Sequence, residues 1–501
     1  MSRAVAARRV SSTVPAVPGD PLRWWALVVI AVAQLTVLLD TTIVNIALPS
    51  AQQALGLTDG NRQWVVTAYA LAFGGLLLLG GRVVDMVGRK RSFLLGLVGF
   101  AAASAVGGAA GGPAVLLGAR AVQGAFAALL APASLALLVT TFTEPRERGR
   151  AFGVIGTVSG VGAAGGLILG GLLTEYLDWR WCMYVNVPIA LAAAAAGLWV
   201  LREGDGRRGS RLDLLGALLG CGGLTALVLG FGRAEGHGWG SASVVGALAG
   251  GVVLLWLFVL RQRRAAHPLV PLHVVADRDR AGALVVAGLA PVATFGLLLF
   301  LTYYLQVARG FSAVAAGLAL LPLTVGMTTG VNLAVRLGTR GVPPFRVVAC
   351  ALLLGSGGVA LLARTDTGSS YPAQVLPAML LAGIGLGATG MTAMATATSR
   401  VAPADSGTAS ALFTTAQQIG ASVGTSVINT VAASAAAGHL VHLAGPAARA
   451  DATVYGFTVA LWGVVGLLGL SAVVTAVLLG RPVRRATGLS DRGAAPLDTR
   501  A

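Results

Sequence analysis

The chain contains few charged residues: they occupy 11% of its 501 positions, whereas a soluble domain carries roughly 25%. Hydrophobic residues make up 56%. This composition excludes an ordinary water-soluble globule, and it excludes a disordered chain, which would be polar and poor in apolar residues. The three cysteines, Cys182, Cys221 and Cys350, stand at no metal-ligand spacing, so the sequence predicts neither a disulfide framework nor a metal site.

Acidic residues and lysine are also scarce. Nineteen Asp and Glu stand against 36 Lys and Arg, which gives a net charge of +17, and Lys90 is the only lysine. An excess of this size suggests a nucleic-acid partner unless the basic residues are confined to one side of a membrane. The composition, rich in Ala, Gly and Arg, is typical of a bacterial protein from a GC-rich genome.

Long apolar runs dominate what is present. A membrane-crossing helix needs about 20 apolar residues. Fourteen such runs are predicted, at 24–48, 62–81, 92–112, 115–141, 150–174, 182–201, 212–232, 241–260, 282–306, 313–334, 344–363, 372–398, 408–435 and 454–480. The first run follows a basic tail, as in a secretory signal, but it is too long for that role and lacks a small-residue cleavage site.

The basic residues alternate between the segments that join these runs. If both termini are cytoplasmic, 29 of the 36 fall in inner segments, six in outer segments, and one, Arg120, within a span. This distribution follows the positive-inside rule and explains the net charge without nucleic acid. The sequence therefore predicts a multi-pass protein of the cell membrane with both termini in the cytoplasm, and no segment is long enough for a soluble catalytic domain.

Only one acid, Asp40, and one base, Arg120, lie well within the predicted spans. An ionisable side chain at membrane depth costs at least about 2.5–3.5 kcal/mol, so it indicates a functional site by default. A rise of 1.5 Å per residue places both in the outer half of the membrane, where they are expected to face one another or to share a water-filled cavity. We interpret Asp40 as a carboxylate that takes up and releases protons, tuned by Arg120; a pair that serves packing alone is the alternative.

Polar side chains on several predicted spans are candidates for a cargo-binding cavity. Helix periodicity aligns three of them on one side of the first span, and another shares a face with Arg120. The predicted cavity residues are Gln34, Thr41, Asn45, Gln123, Gln306 and Gln417. Hydrogen bonding between helices is the alternative role for Gln306 and Gln417.

The inner loop GRVVDMVGRKR (81–91) places glycines around an acid, followed by a basic cluster. It resembles the signature loop of the major facilitator superfamily, which implies a gate formed by Gly81, Asp85, Gly88, Arg89 and Lys90. A carboxylate can cap the positive N-terminus of a facing helix. We expect Asp85 to face a helix N-terminus near 406–408; an ordinary positive-inside loop is the alternative.

Further motifs narrow the resemblance, which covers about 24–480. The segments LDTTIVNIALP (39–49) and 116–128 are similar to the first- and fourth-helix motifs of the fourteen-span drug:proton antiporters. This resemblance implies an all-α major facilitator fold. Its predicted parts are a tail at 1–23, a six-helix bundle at 24–201, two inserted helices with their loops at 202–281, a second six-helix bundle at 282–480 and a tail at 481–501.

The fifth predicted span departs from that family. Its antiporter motif comprises Gly162, Gly166, Leu167, Gly170 and Gly171, with Leu167 where the family carries proline. Loss of the proline removes an expected kink. Close helix packing through the glycines is the alternative to an antiporter role.

The resemblance implies export of a small hydrophobic or amphipathic compound in exchange for protons, by a monomer that needs no cofactor. Proton-coupled import of a metabolite is a second reading, favoured by Leu167. A membrane enzyme acting on lipid is a third, but it would need clustered acids, histidines or a metal, whereas Asp40 is the only acid well within the spans.

Overall fold

The computed structural model describes residues 22–58, 61–142, 144–202, 213–265, 268–269, 277–366, 368–399, 406–440 and 448–479. Most of these residues are helical. The predicted tail at 481–501, and that at 1–23 up to residue 21, fall outside the described residues.

The first group of helices, which we call the N-terminal group, covers the first predicted bundle. It comprises α1 (Arg23–Leu55), α2 (Trp64–Val87), α3 (Arg89–Gly108), α4 (Pro113–Thr141), α5 (Pro145–Tyr176), α6 (Trp181–Tyr184) and α7 (Asn186–Val200). Two helices follow, α8 (Leu214–His237) and α9 (Ala242–Arg264), and they pack on one another.

The second group, which we call the C-terminal group, covers the remaining helices. It comprises α10 (Arg278–Tyr303), α11 (Ala313–Ala319), α12 (Leu321–Thr339), α13 (Pro344–Leu362), α14 (Leu376–Thr398), α15 (Ser406–Leu440) and α16 (Ala448–Leu479). Short π-helical segments, Tyr304–Ala308 and Tyr371–Val375, follow α10 and precede α14.

Among the described residues, eleven helices are long and apolar enough to cross a membrane, or twelve if Trp64–Leu77 and Leu79–Val87 form one bent span. The predicted runs 150–174 and 212–232 fall on α5 and α8, which are helical but outside that count. The apolar part of α8, Leu215–Phe231, is shorter than a typical span. The all-helical class is confirmed, whereas the number fourteen is not reached by this measure.

Local sequence signals explain several helix ends. The side chains of Ser241, Asp277 and Ser312 accept hydrogen bonds from backbone N–H groups in the first turns of α9, α10 and α11, as N-cap residues do. Helix α1 runs past the predicted end at 48, through Pro49, to Leu55. Proline inside a membrane helix is tolerated because neighbouring groups can satisfy the carbonyl that it leaves free.

Small residues let the helices approach closely. A Cβ at Gly80 on α2 or at Gly124 on α4 would overlap the backbone of the other helix. These two glycines therefore allow α2 and α4 to pack closely. Gly326 and Gly383 have the same role between α12 and α14, where a Cβ at Gly326 would lie 2.7 Å from the Leu380 carbonyl oxygen. Such pairs are typical of membrane bundles, where packing replaces the hydrophobic effect as the driving force.

The two groups meet through α1 with α10, α2 with α15, and α5 with α11. Gln306 Nε2 donates to the Ile46 carbonyl oxygen at 3.0 Å, and Glu175 Oε2 accepts from the backbone N–H of Val314 at 2.8 Å. These two hydrogen bonds lie at the end of the molecule that contains the α5–α6 turn. We call it the Trp179 end.

Candidate functional site

A buried ion pair joins α1 to α4. Arg120 Nη1 lies 2.5 Å from Asp40 Oδ2, and the two side chains are 1% and 0% exposed. The structure thus brings together the two charges singled out in the spans, which lie 80 positions apart in sequence. A buried ion pair persists only where good geometry and further hydrogen bonds offset the loss of hydration.

Gln123 extends the pair into a network. One turn along α4 from Arg120, its Oε1 accepts from Arg120 Nη1 at 2.9 Å, and its Nε2 donates to Asp40 Oδ1 at 3.2 Å. The same Nε2 donates to Ser104 Oγ on α3 at 2.7 Å. The i, i+3 spacing on α4 makes this possible, because residues three apart share a face.

Asn186, the first residue of α7, also contacts the carboxylate. Its Nδ2 donates to Asp40 Oδ1 at 2.9 Å, and the side chain is fully buried. Asn186 is not among the site residues predicted from the sequence. Ser104 was missed in the same way, since its selection depends on knowing that α3 faces α4.

The first turn of α2 holds the other side of Arg120. Arg120 Nε donates to the Val65 carbonyl oxygen at 2.9 Å, and its guanidinium lies over the Tyr69 ring, 4.4 Å from the ring centre. The guanidinium therefore has a carboxylate, an amide, a carbonyl and an aromatic face as neighbours. Cation–π contacts are strongest when the cation is desolvated, as it is here.

An apolar layer lies one helical turn from this network toward the Trp179 end. Val44, Leu116 and Cys182, each four positions from Asp40, Arg120 or Asn186, line one small cavity with Trp179 and Met183. Apolar side chains therefore separate Asp40 from the surface at the Trp179 end. The Asp40 carboxylate oxygens accept hydrogen bonds from three side chains, those of Arg120, Gln123 and Asn186.

The other predicted cavity residues do not converge on Asp40. Gln34, Thr41 and Gln417 are half-buried. Asn45 is 2% exposed, and its Nδ2 donates to the Thr41 carbonyl oxygen of its own helix at 2.7 Å. Gln306 lies in the first π-helical segment and bonds the backbone of α1. Of the six, Gln123 alone bonds Asp40 among the described contacts.

The predicted loop at 81–91 is helical except at Gly88: it comprises the end of α2, a sharp turn at that glycine and the start of α3. Gly88 has φ +104° and separates Val87, the last residue of α2, from Arg89, the first of α3. Lys90 Nζ donates to the Leu198 carbonyl oxygen at 2.7 Å. Arg89 is half-buried, as is Gly81, whereas Asp85 is exposed. The facing position predicted for Asp85 involves side chains at 406–408, which lie outside the described part of the chain.

The glycines of the fifth predicted span form a contact seam. On α5, Gly162, Gly166 and Gly170 face α1, and a Cβ at Gly170 would lie 3.0 Å from Ile43 Cα. Gly171 faces α11, where a Cβ would lie 2.8 Å from Val314 Cα. Leu167 is 1% exposed in the core, and α5 is a continuous helix at that position. This geometry is that of close helix packing.

Comparisons with known proteins agree with this architecture. The family model described as Major Facilitator Superfamily matches residues 30–425. A puromycin resistance protein of Streptomyces alboniger is 54% identical over 464 residues, which cover 92% of both chains. A cephamycin export protein of Amycolatopsis lactamdurans is 39% identical over 423 residues, which cover 84% of this chain and 87% of that one.

A solved structure shares the fold at low sequence identity. It is a bacterial homologue of the human lysosomal transporter Spinster, in an inward-facing, unoccupied conformation. The TM-score is 0.67 at 15% identity, and the match covers 92% of this chain and 98% of that one. At this identity the similarity concerns the fold alone.

Proposed function

The chain belongs to the Major Facilitator Superfamily, and we propose that it exports a small antibiotic-like molecule in exchange for protons. The single observation that carries the coupling is the Asp40–Arg120 pair, a buried carboxylate and guanidinium inside a bundle of membrane helices. Charges at such depth are costly, and they mark ion pathways and proton relays in membrane proteins. Its relatives and its fold are those of transporters. The chain is therefore a transporter and not an enzyme.

The proposed architecture follows the contacts of the helices. The N-terminal group would be one six-helix bundle (24–201) and the C-terminal group the other (282–480), with α8 and α9 as the inserted pair. Counting α2, α5 and α8 as spans then gives fourteen crossings, and both termini would be cytoplasmic. Cargo would bind near the midplane between groups that rock against each other.

The proposed coupling step uses the donors around Asp40. With Arg120, Gln123 and Asn186 in place, the ionised carboxylate is satisfied by N–H groups. Movement of α4 or α7 relative to α1 would remove donors and let the carboxyl take up a proton; return of the donors would release it. Because Arg120 and Asn186 lie on different helices from Asp40, the protonation state and the arrangement of the helices depend on each other.

Cargo would contact polar side chains beside the groups' interface, and Gln34, Thr41 and Gln417 are the half-buried candidates. We propose a neutral, zwitterionic or anionic compound, because Asp40 is the only acid well within the predicted spans and is already paired. Relatives named for puromycin resistance and cephamycin export support an antibiotic as the cargo class. Names of this kind favour export over import.

We further propose that the 81–91 loop gates the inner end. Gly88 provides the turn, and exposed Asp85 would cap the N-terminus of α15 when that end closes. The glycine seam of α5 would keep α1 and α5 together, with Leu167 as a core residue in the position of the missing proline.

Drug accumulation in cells that express the wild type or Asp40→Asn tests this function. The wild type should lower accumulation, and a protonophore should abolish the effect; Asp40→Asn should resemble the protonophore-treated wild type. Asp178→Asn is the matched control, because Asp178 is exposed and pairs with Arg180 outside the network. Unchanged export by Asp40→Asn would refute the coupling role.

A further inference from the structure

A buried arginine joins the two groups at the Trp179 end. Arg62 precedes α2 and is 4% exposed. Its Nε donates to Asn429 Oδ1 on α15 at 3.2 Å. Its guanidinium lies 3.9 Å from the centre of the Tyr303 ring on α10 and 5.7 Å from that of Phe457 on α16. Each of these partners belongs to the C-terminal group.

Neighbouring side chains add contacts across the same interface. Asn429 Nδ2 donates to Gln63 Oε1 at 3.0 Å, and the Tyr303 hydroxyl donates to Gln52 Oε1 at 2.5 Å. Ser422 Oγ, two turns before Asn429 in α15, donates to the Thr67 carbonyl oxygen at 3.4 Å. All of these bonds join one group to the other, so separation of the groups at this end has to break them.

The segment that carries Arg62 also reaches the ion pair. Val65 lies three residues after Arg62, and its carbonyl oxygen accepts from Arg120 Nε at 2.9 Å. The short segment 62–65, which leads into α2, therefore carries two contacts in opposite directions: Arg62 contacts the C-terminal group, and Val65 contacts the guanidinium that pairs with Asp40. A displacement of this segment changes both contacts at once.

We propose that the segment 62–65 couples closure of the Trp179 end to the Asp40–Arg120 pair, with Arg62 as the positioning residue that clamps it to Tyr303 and Asn429. Opening of this end releases the clamp and withdraws the Val65 carbonyl from Arg120. Loss of the Asp40 charge, in turn, loosens Arg120 and favours opening. This coupling rests on the proposed function, whereas the clamp can be measured without cargo or protons.

The chain offers a matched control. Arg180 also lies over an aromatic ring, with its guanidinium 4.7 Å from the Trp179 ring centre, and its Nη2 donates to the Ala110 carbonyl oxygen at 3.3 Å. These partners belong to the N-terminal group, as Arg180 does. Removal of this cation–π contact leaves the interface between the groups intact.

Thiol labelling of the purified protein in detergent tests the clamp, because both ends are then accessible whichever way the protein faces in cells. Ser422→Cys is the reporter, in a Cys182→Ala, Cys221→Ala background that retains exposed Cys350 as the internal reference. We expect Arg62→Gln to raise the ratio of reporter labelling to Cys350 labelling about tenfold, which corresponds to about 1.4 kcal/mol, and Arg180→Gln to leave it unchanged. Equal ratios for the two variants would overturn the clamp.

If Arg62→Gln does not fold, a second pair of variants tests whether the guanidinium–ring contact holds the two groups together. Tyr303→Leu removes the ring under the guanidinium, whereas Tyr303→Phe keeps the ring and loses the hydroxyl that bonds Gln52. Tyr303→Leu should raise the ratio at least threefold more than Tyr303→Phe. Equal effects would show that the guanidinium–ring contact does not hold the groups together.

The coupling to Asp40 is tested by combining Asp40→Asn with Arg62→Gln, or with Tyr303→Leu if Arg62→Gln does not fold. Each single variant should raise the labelling ratio, and the double variant should raise it by less than the product of the two, because they act through one segment. Effects that multiply would overturn the coupling and leave the clamp standing. Export that does not depend on protons would overturn the proposed function without changing the labelling result.

Discussion

Asn186 Nδ2 lies 2.9 Å from Asp40 Oδ1, although the two residues are 146 positions apart in sequence. Asn186 begins α7, and Asp40 lies in the middle of α1, so this bond ties the end of one helix to the centre of another. Arg120 and Gln123 on α4 also donate to this carboxylate, so its donors come from α4 and α7. The position of the Asp40 carboxylate therefore depends on how α1, α4 and α7 pack together.

Replacement of Asn186 should therefore impair export without abolishing it. A buried hydrogen bond to a charged group contributes about 1.5–3 kcal/mol, so we expect Asn186→Leu to lower the initial export rate about tenfold. The rate is measured by drug efflux from preloaded cells at equal expression. Asn332→Leu is the control, because Asn332 bonds only the Thr328 carbonyl oxygen of its own helix among the contacts described. Equal rates for Asn186→Leu and the wild type would argue against its contact with Asp40.

Breaking the ion pair should also destabilise the protein. Removal of one partner leaves a buried charge unpaired, which costs about 3–5 kcal/mol, so Arg120→Met should lower the free energy of unfolding by that amount. Combining it with Asp40→Asn should recover part of the loss. Chemical denaturation in detergent measures both. A double variant whose loss equals the sum of the single losses would show that the two charges do not interact.

Close packing of α2 on α4 yields a stability prediction with an internal control. A Cβ at Gly124 would overlap the Tyr69 carbonyl oxygen, whereas a Cβ at Gly118 on the same helix meets no atom within 4 Å. Overpacking costs about 1–3 kcal/mol. Gly124→Ala should lower the thermal midpoint clearly, and Gly118→Ala should leave it within error. Equal midpoints would mean that the helices are further apart than the structure shows.

The sequence was sufficient for the fold class and for three members of the site, Asp40, Arg120 and Gln123. Asp40 and Arg120 stood out because charges are rare inside spans, and the structure places them in contact. Asn186 and Ser104 could not be selected, because ordinary buried amides and hydroxyls carry no signal until the facing helix is known. The glycine spacing on α5 was visible in the sequence, but its partners, α1 and α11, were not. The gate proposed for Asp85 remains a prediction.

Glu175 yields a prediction about pH at the contact between α5 and α11. Hydrogen bonds from Ser312 and from the Val314 N–H lower the pKa of Glu175 below its usual 4.5. A carboxylate with a lowered pKa contributes stability that is present above the unfolded value and is lost as the pH falls through the folded value. The thermal midpoint of the wild type should fall below pH 4.5 more than that of Glu175→Gln, with no difference between their slopes from pH 6 to 8. Parallel curves over the whole range would contradict this contact.

Proton movement by the purified protein in liposomes is the direct test of proton coupling through Asp40. An outward cargo gradient is imposed on vesicles that contain a pH-sensitive dye, with no other proton source. The account predicts that the wild type and Asp178→Asn acidify the lumen as cargo leaves, and that Asp40→Asn does not. Acidification by Asp40→Asn at the wild-type rate would show that this carboxylate does not carry the coupling proton.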